Sequence, residues 1–174
     1  MLEQVILVDN NDTIIGVEEK ITAHKLGLLH RAFSIFVLRN NPDLELLMQK
    51  RSLAKYHSAG LWSNSCCGHP RPSESVMEAA KRRLNEEIGL NIPLKEIGVF
   101  TYKADVGTSL IEHEIDHVLV GYWRGESIRV NPREVSTVKW SKIDEIFSEI
   151  NNTPSLFTAW FKETLAMVDK FTKD

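Results

Sequence analysis

Two charges sit where a helix should be apolar. From Glu74 to Ile88, at about 100° per residue, Val76, Met77, Ala79, Ala80, Leu84 and Ile88 share one arc. Glu78, Lys81, Arg82 and Asn85 fall on the opposite side, as a solvated face should, but Arg83 and Glu87 project into the middle of the apolar arc and Glu86 lies at its edge. A buried carboxylate is costly unless it is paired or bound to a cation. One reading is an i,i+4 ion pair between Arg83 and Glu87. On its own this is the weaker reading, because burying two charges seldom repays their desolvation. In the other, Glu87 holds a hard cation through oxygen and Arg83 is turned to an anionic substrate.

A second constellation is spread along the chain. Glu112 and Glu114 alternate with His113 and Ile115, so on a strand both carboxylates point to one face and His113 to the other. His24 and His30 precede an apolar segment beginning at Ala32, and His69 stands two residues after Cys67. Imidazoles mixed with carboxylates suit a divalent transition metal such as manganese, iron or zinc. Taken singly, a histidine is more often a surface or hydrogen-bonded residue, and spacing does not bring these five together. His57, His113 and His117 are assigned to that ordinary role. Cys66 and Cys67 are neighbours, and a disulfide across one peptide bond is hard to close, so reduced thiols and a cytoplasmic chain are expected. Cys67 by itself reads as a buried, apolar-like cysteine.

The elements that must position these groups are legible in outline. Val5 to Val8 and Thr13 to Val17 flank the turn cluster Asp9-Asn10-Asn11-Asp12, and Ala32 to Arg39 and Leu44 to Lys50 flank Asn40-Asn41-Pro42-Asp43; both read as hairpins. Between them, Ile21 to His30 is a loop or short helix. Ile97 to Lys103, Glu112 to Trp123 and Val138 to Ser141 are further strands. The helix from Glu74 to Ile88 carries a capping-box signal in Ser75 and Glu78 and ends at Gly89. Lys142 to Ile150 is a second helix. A third starts at Thr153-Pro154 and continues through Leu156, Phe157, Trp160, Phe161, Leu165 and Val168. This order predicts a mixed sheet between helices, an α/β/α sandwich. At 174 residues, one domain spanning 1–174 is expected. A hydrophobic fraction of 43% with a net charge of −3 shows no basic excess, which argues against a nucleic-acid surface. No apolar stretch approaches spanning length and the first residues do not read as a signal peptide, so no membrane partner is expected.

Gly68, Glu74, Arg82, Glu86, Glu87, Gly89 and the apolar residues Leu84 and Leu90 stand at the spacing of the Nudix box, G-x5-E-x7-R-E-U-x-E-E-x-G-U, where U is a bulky apolar residue. Every specified position matches except the one after Arg82, where Arg83 replaces a glutamate. In Nudix hydrolases that glutamate commonly belongs to the metal-binding, catalytic set, so a pyrophosphohydrolase acting on a nucleoside diphosphate derivative becomes the alternative rather than the first choice. The segments Glu19-Lys20-Ile21-Thr22-Ala23-His24, Leu29-His30-Arg31-Ala32-Phe33-Ser34, Asn64-Ser65-Cys66-Cys67-Gly68-His69-Pro70 and Glu112-His113-Glu114 resemble type 1 isopentenyl diphosphate isomerases, in order along nearly the whole chain.

The resemblance implies a Nudix fold and the rearrangement of isopentenyl to dimethylallyl diphosphate. It implies a metal site of His24, His30, His69, Glu112 and Glu114 for manganese or another divalent ion such as zinc or iron. It implies a magnesium ion held by Glu87 and the substrate diphosphate, with the main-chain carbonyl of Cys67 as a further ligand. Cys67 and Glu114, the latter assisted by Tyr102, are implied as acid and base on opposite faces of the substrate, their assignment left open. Trp160 is implied to face the carbocation, although periodicity alone would place it in a core stripe with Leu156 and Met167. Lys20, Arg51, Lys55 and Arg83 are implied as diphosphate-binding cations, and Cys66 is structural. A monomer is expected, with a dimer as the alternative.

Overall fold

One strand organises the molecule. In the computed structural model, which describes residues 2–174, β3 (His30–Asn40) pairs along one edge, in parallel, with β8 (Ile111–Tyr122), from His30 opposite Glu114 to Leu38 opposite Tyr122. Three strands share its other edge end to end, all antiparallel. β1 (Gln4–Val8) meets it at His30, β6 (Cys66–Gly68) runs along Phe33 to Ile35, and β4 (Leu44–Arg51) joins at Leu38 to Asn40. β2 (Ile14–Glu19) extends the sheet beyond β1, β7 (Lys95–Asp105) lies outside β8, and β5 (Trp62–Ser63) and β9 (Val135–Lys142) both pair with β4. The result is a curled mixed sheet.

Both anticipated hairpins are present, as β1–β2 and β3–β4. β5 and β6 were not anticipated. Two- and three-residue strands have no period to read, and β6 carries Cys67.

Residues alternating along β3 feed two cores. Phe33, Ile35 and Val37 pack with Leu47, Cys66, Ala79, Ala80, Leu84 and Ile88 beneath α2 (Val76–Ile88). Phe36 and Leu38 pack with Met48, Val118, Ile146, Phe161, Leu165 and Val168 beneath α3 (Ile143–Asn152) and α4 (Phe161–Lys173). The α2 boundaries follow from the chain's own signals. Ser75 and Glu78 form the reciprocal capping box, and Gly89, with φ +71°, supplies the left-handed C-terminal cap. Helix α2 lies so close to β6 that a Cβ on Gly68 would fall 2.9 Å from the Phe33 ring and 3.1 Å from Arg83 Cγ.

The last helix differs from expectation. Thr153-Pro154 opens only a 3-10 turn, Pro154–Leu156, and α4 begins at Phe161. Phe157 is extended and bridges Trp62, and the Thr158 amide donates to the Trp62 carbonyl at 3.0 Å, so the chain is pinned to the sheet before it coils again. Trp160 consequently stands at the N-cap of α4 rather than inside a helical stripe, and Leu156 is exposed rather than core. The segment Ile21–His30 resolves into α1 (Lys20–Leu26) and a turn. No helix of the described residues is long and apolar enough to cross a membrane.

Candidate metal and catalytic site

Register sets the acidic side of the site. Tyr102 of β7 faces Glu114 of β8, and Ala104 faces Glu112, so the period of two puts Tyr102, Glu112 and Glu114 on one face. The Tyr102 hydroxyl lies 2.7 Å from Glu112 Oε2 and 2.7 Å from Glu114 Oε2. Its single proton serves one carboxylate at a time. Burial, with the two carboxylates beside it, pushes this phenol well above its ordinary range, so it stays a donor.

Three imidazoles meet Glu114. His30, paired with it across β3–β8, places Nε2 3.3 Å from Glu114 Oε1, and His69, just beyond β6, places Nε2 2.8 Å from the same oxygen. His24 comes from α1, whose N-terminus is capped by the Glu19 carboxylate accepting from the Ile21 and Thr22 amides. His24 and His30 each anchor Nδ1 on a main-chain carbonyl, that of Lys20 at 2.7 Å and that of Leu28 at 2.8 Å. This leaves both Nε2 atoms inward-facing and wholly buried, that of His24 without a hydrogen-bond partner among the described residues and that of His30 against Glu114. Burial and the neighbouring His30 lower His24 to about 4, and burial lowers His69 to about 4 despite its contact with Glu114, so both are neutral near pH 7 and have a lone pair to offer. Burial opposes ionisation of Glu114, but the contacts of His30 and His69 prevail and hold its carboxyl well below the ordinary range.

Donor atoms of His24, His30, His69 and Glu114 all lie within 4.8 Å of one another, and those of His24, His57 and Glu112 form an overlapping group on the same criterion. Bare, buried imidazole nitrogens beside an ionised carboxylate fit a divalent cation. Of the five residues anticipated for one ion, four form a single cluster, and Glu112 joins it through His24 in company with His57. His57, assigned a surface or hydrogen-bonded role, is the hydrogen-bonded kind: it is buried, with Nε2 3.0 Å from Glu112 Oε1. His113 and His117 do stand apart, their rings against the Gly27 carbonyl and Asp12.

The cysteines part company at β6. Cys66 packs under α2, whereas Cys67, opposite Ser34, turns into the cavity that His69, Tyr102, Glu112, Glu114 and Trp160 also line. Burial, with Asp116 nearby, pushes the Cys67 thiol up to about 12, so it rests as S–H. That S–H donates to Asn64 Oδ1 at 3.1 Å, and the same oxygen accepts the Trp160 indole N–H at 3.0 Å. The amide orientation of Asn64 is fixed because its Nδ2 donates to the carbonyls of Ile35 and Cys66, at 3.1 and 2.9 Å. Ser34, which donates to the buried Asp116 at 2.7 Å, lies 3.6 Å from Cys67 Sγ. Asn64, Ser34 and Asp116 were not singled out from the sequence, yet Asp116 continues the alternation of Glu112 and Glu114 and was readable on that ground.

Lys20, Arg51, Lys55 and Arg83 all line the cavity. Lys20 pairs with Glu3 at 2.6 Å and Lys55 with Glu134 at 2.5 Å, while the Arg51 guanidinium sits 5.7 Å from the Trp160 ring centroid. Arg83 pairs with Glu87, and Glu87 also accepts from Gln49 at 2.8 Å. The ion pair within the apolar arc of α2 is thus real, and Glu87 stands outside both donor groups.

The class of the protein follows from fold and sequence together: the sequence model of the NUDIX domain matches residues 28–161. A Deinococcus radiodurans protein of known structure superposes with a TM-score of 0.77 at 17% identity, covering 94% of this chain and 98% of the other. A MutT protein from Methanosarcina mazei gives 0.67 at 19%, covering 84% and 96%. At these identities the likeness is one of fold. Isopentenyl-diphosphate Delta-isomerase 2 of Photorhabdus laumondii is 49% identical over 165 residues, covering 95% of this chain and 92% of its own. The isopentenyl-diphosphate Delta-isomerase of Serratia proteamaculans is 48% identical over 161 residues, covering 92% and 88%. The chain belongs to the isopentenyl-diphosphate Delta-isomerase family.

Proposed function

We propose that the chain catalyses the 1,3-allylic rearrangement of isopentenyl diphosphate to dimethylallyl diphosphate, with Cys67 and Glu114 as the proton-carrying pair. The observation that carries the site assignment is that Cys67, Glu114 with its Tyr102 partner, and Trp160 line one cavity together with four cations.

The reaction adds a proton to one end of an unactivated alkene and removes another from the carbon beyond it, so atoms balance without any co-reactant. One group must donate and one must accept. Tyr102 donates to Glu114 across 2.7 Å, and Cys67 is held as a thiol by Asn64. The cation formed between the two steps needs an electron-rich, water-free neighbour, and the indole of Trp160, 3% exposed, supplies it; such a contact is worth about 2 kcal/mol or more when desolvated. Lys20, Arg51, Lys55 and Arg83 bind the diphosphate and fix the alkene relative to the thiol.

His24, His30, His69, Glu114 and Glu112 would hold a divalent ion, manganese by preference and zinc or iron as alternatives, which supplies positive charge that tunes the carboxylate acid–base group. Magnesium would accompany the diphosphate. For Glu87 to hold that ion, it would exchange its Arg83 partner for the metal, freeing Arg83 for the substrate.

The test is turnover of isopentenyl diphosphate with magnesium and manganese present. Cys67→Ala should fold and lose nearly all turnover, Glu114→Gln should be inactive, and Cys66→Ala should keep most activity. Full activity in Cys67→Ala would overturn the role given to the thiol.

A further inference from the structure

We propose that His57 belongs to the metal centre as the hydrogen-bond donor that holds Glu112 in place there; the inference rests on the metal-bearing reading above. The loop after β4 turns His57 inward. Arg51 Nη2 donates to its carbonyl at 3.2 Å, and the next residue, Ser58, adopts φ +49°, a left-handed conformation uncommon for a side-chain-bearing residue. The ring is boxed edge-to-face by Tyr56 at 4.4 Å and stacked with His24 at 5.8 Å between centroids. His57 is 6% exposed, and Glu112, which receives its Nε2 at 3.0 Å, is 3% exposed.

His57 acts through Glu112 rather than by gathering an ion of its own. The group His24–His57–Glu112 shares His24 with the main cluster. With Nδ1 spent on the Lys20 carbonyl, His24 has one lone pair to give, so the two groups cannot serve two ions at once. The Ser58 hydroxyl lies 3.1 Å from His57 Nδ1 and can donate to it, which leaves Nε2 carrying the hydrogen toward Glu112. Oε1 of Glu112 is then held by His57, while Oε2 shares the Tyr102 hydroxyl with Glu114. Carboxylate ligands are commonly fixed by such partners, whose removal weakens metal affinity by roughly 10–100-fold.

Equilibrium dialysis of manganese against the purified protein tests this, with His57→Ala, His57→Gln, Glu112→Gln and the double variant His57→Ala/Glu112→Gln. His57→Ala should weaken binding by about 10-fold or more. His57→Gln, whose amide N–H reaches the same oxygen, should restore most of it, and the double variant should bind no worse than Glu112→Gln alone. X-ray absorption of the manganese-loaded His57→Gln variant should show the same imidazole contribution as the wild type. Unchanged affinity in His57→Ala, failure of rescue by Gln, or loss of an imidazole from the absorption spectrum would each overturn the positioning role. A wild type that binds no manganese would instead overturn the metal-bearing reading itself, and this inference with it.

Discussion

Trp160 and Asn64 show how single atoms set the chemistry. The indole N–H and the Cys67 S–H converge on one amide oxygen, so the ring proposed to face a cation and the thiol proposed to handle a proton share a single anchor. Trp160→Phe keeps an aromatic face while losing the N–H and the second ring, and its kcat should fall modestly. Trp160→Leu removes the π face, and kcat should fall by about 30-fold or more, the rate equivalent of about 2 kcal/mol of cation–π stabilisation. Equal turnover in the two variants would show that the ring face plays no part. The residue scale is also where the sequence was least explicit. Arg83 and Glu87 announced themselves because a helical period exposes any charge on the wrong face. His57 sat in an irregular loop, where no period distinguishes an inward from an outward side chain, and only the turn at Ser58 and the grip of Arg51 bring it inside. Without the resemblance, His24, His30 and His69 were equally mute, because their meeting depends on α1, β3 and β6 being brought together.

At the scale of elements, α2 was nearly complete on the page: the capping box, the apolar arc and the Gly89 stop all appear where the residues put them. Ser75→Ala removes the acceptor for the Glu78 amide and should cost about 1 kcal/mol in denaturant unfolding with kcat unchanged, since this end of α2 stands away from the cavity. A loss of turnover without loss of stability would contradict that separation. Gly68 faces the opposite demand. A methyl there meets both Phe33 and Arg83, so Gly68→Ala should displace Arg83 and raise KM for the diphosphate more than it lowers kcat. The final helix was misjudged because Thr153-Pro154 is a genuine start signal, used here for a single 3-10 turn, and the pairing of Phe157 with Trp62 that delays the helix to Phe161 is a long-range event no local pattern encodes.

Across the whole molecule, charge ties the elements that surround the cavity. Glu134, immediately before β9, contacts Lys55 from the loop after β4 and Arg83 from α2, at 2.5 and 3.2 Å. Although burial works against it, the Lys55 and Arg83 contacts hold its carboxyl at about 2 against an ordinary 4.5. A depressed folded value means stability that is fully present above about pH 4.5 and is lost as pH falls toward 2. The stability gap between wild type and Glu134→Gln in urea should therefore be largest near neutral pH and shrink through that window; a gap that widens on acidification would contradict the assignment. The central claim is that two separate groups handle the proton, one giving and one taking, and both exchange with water. Turnover of isopentenyl diphosphate in D2O, read by NMR of the dimethylallyl product, tests it most directly. The account predicts deuterium in the newly formed methyl group. Product formed at full rate without deuterium would mean that the hydrogen moves within the substrate, and would contradict it.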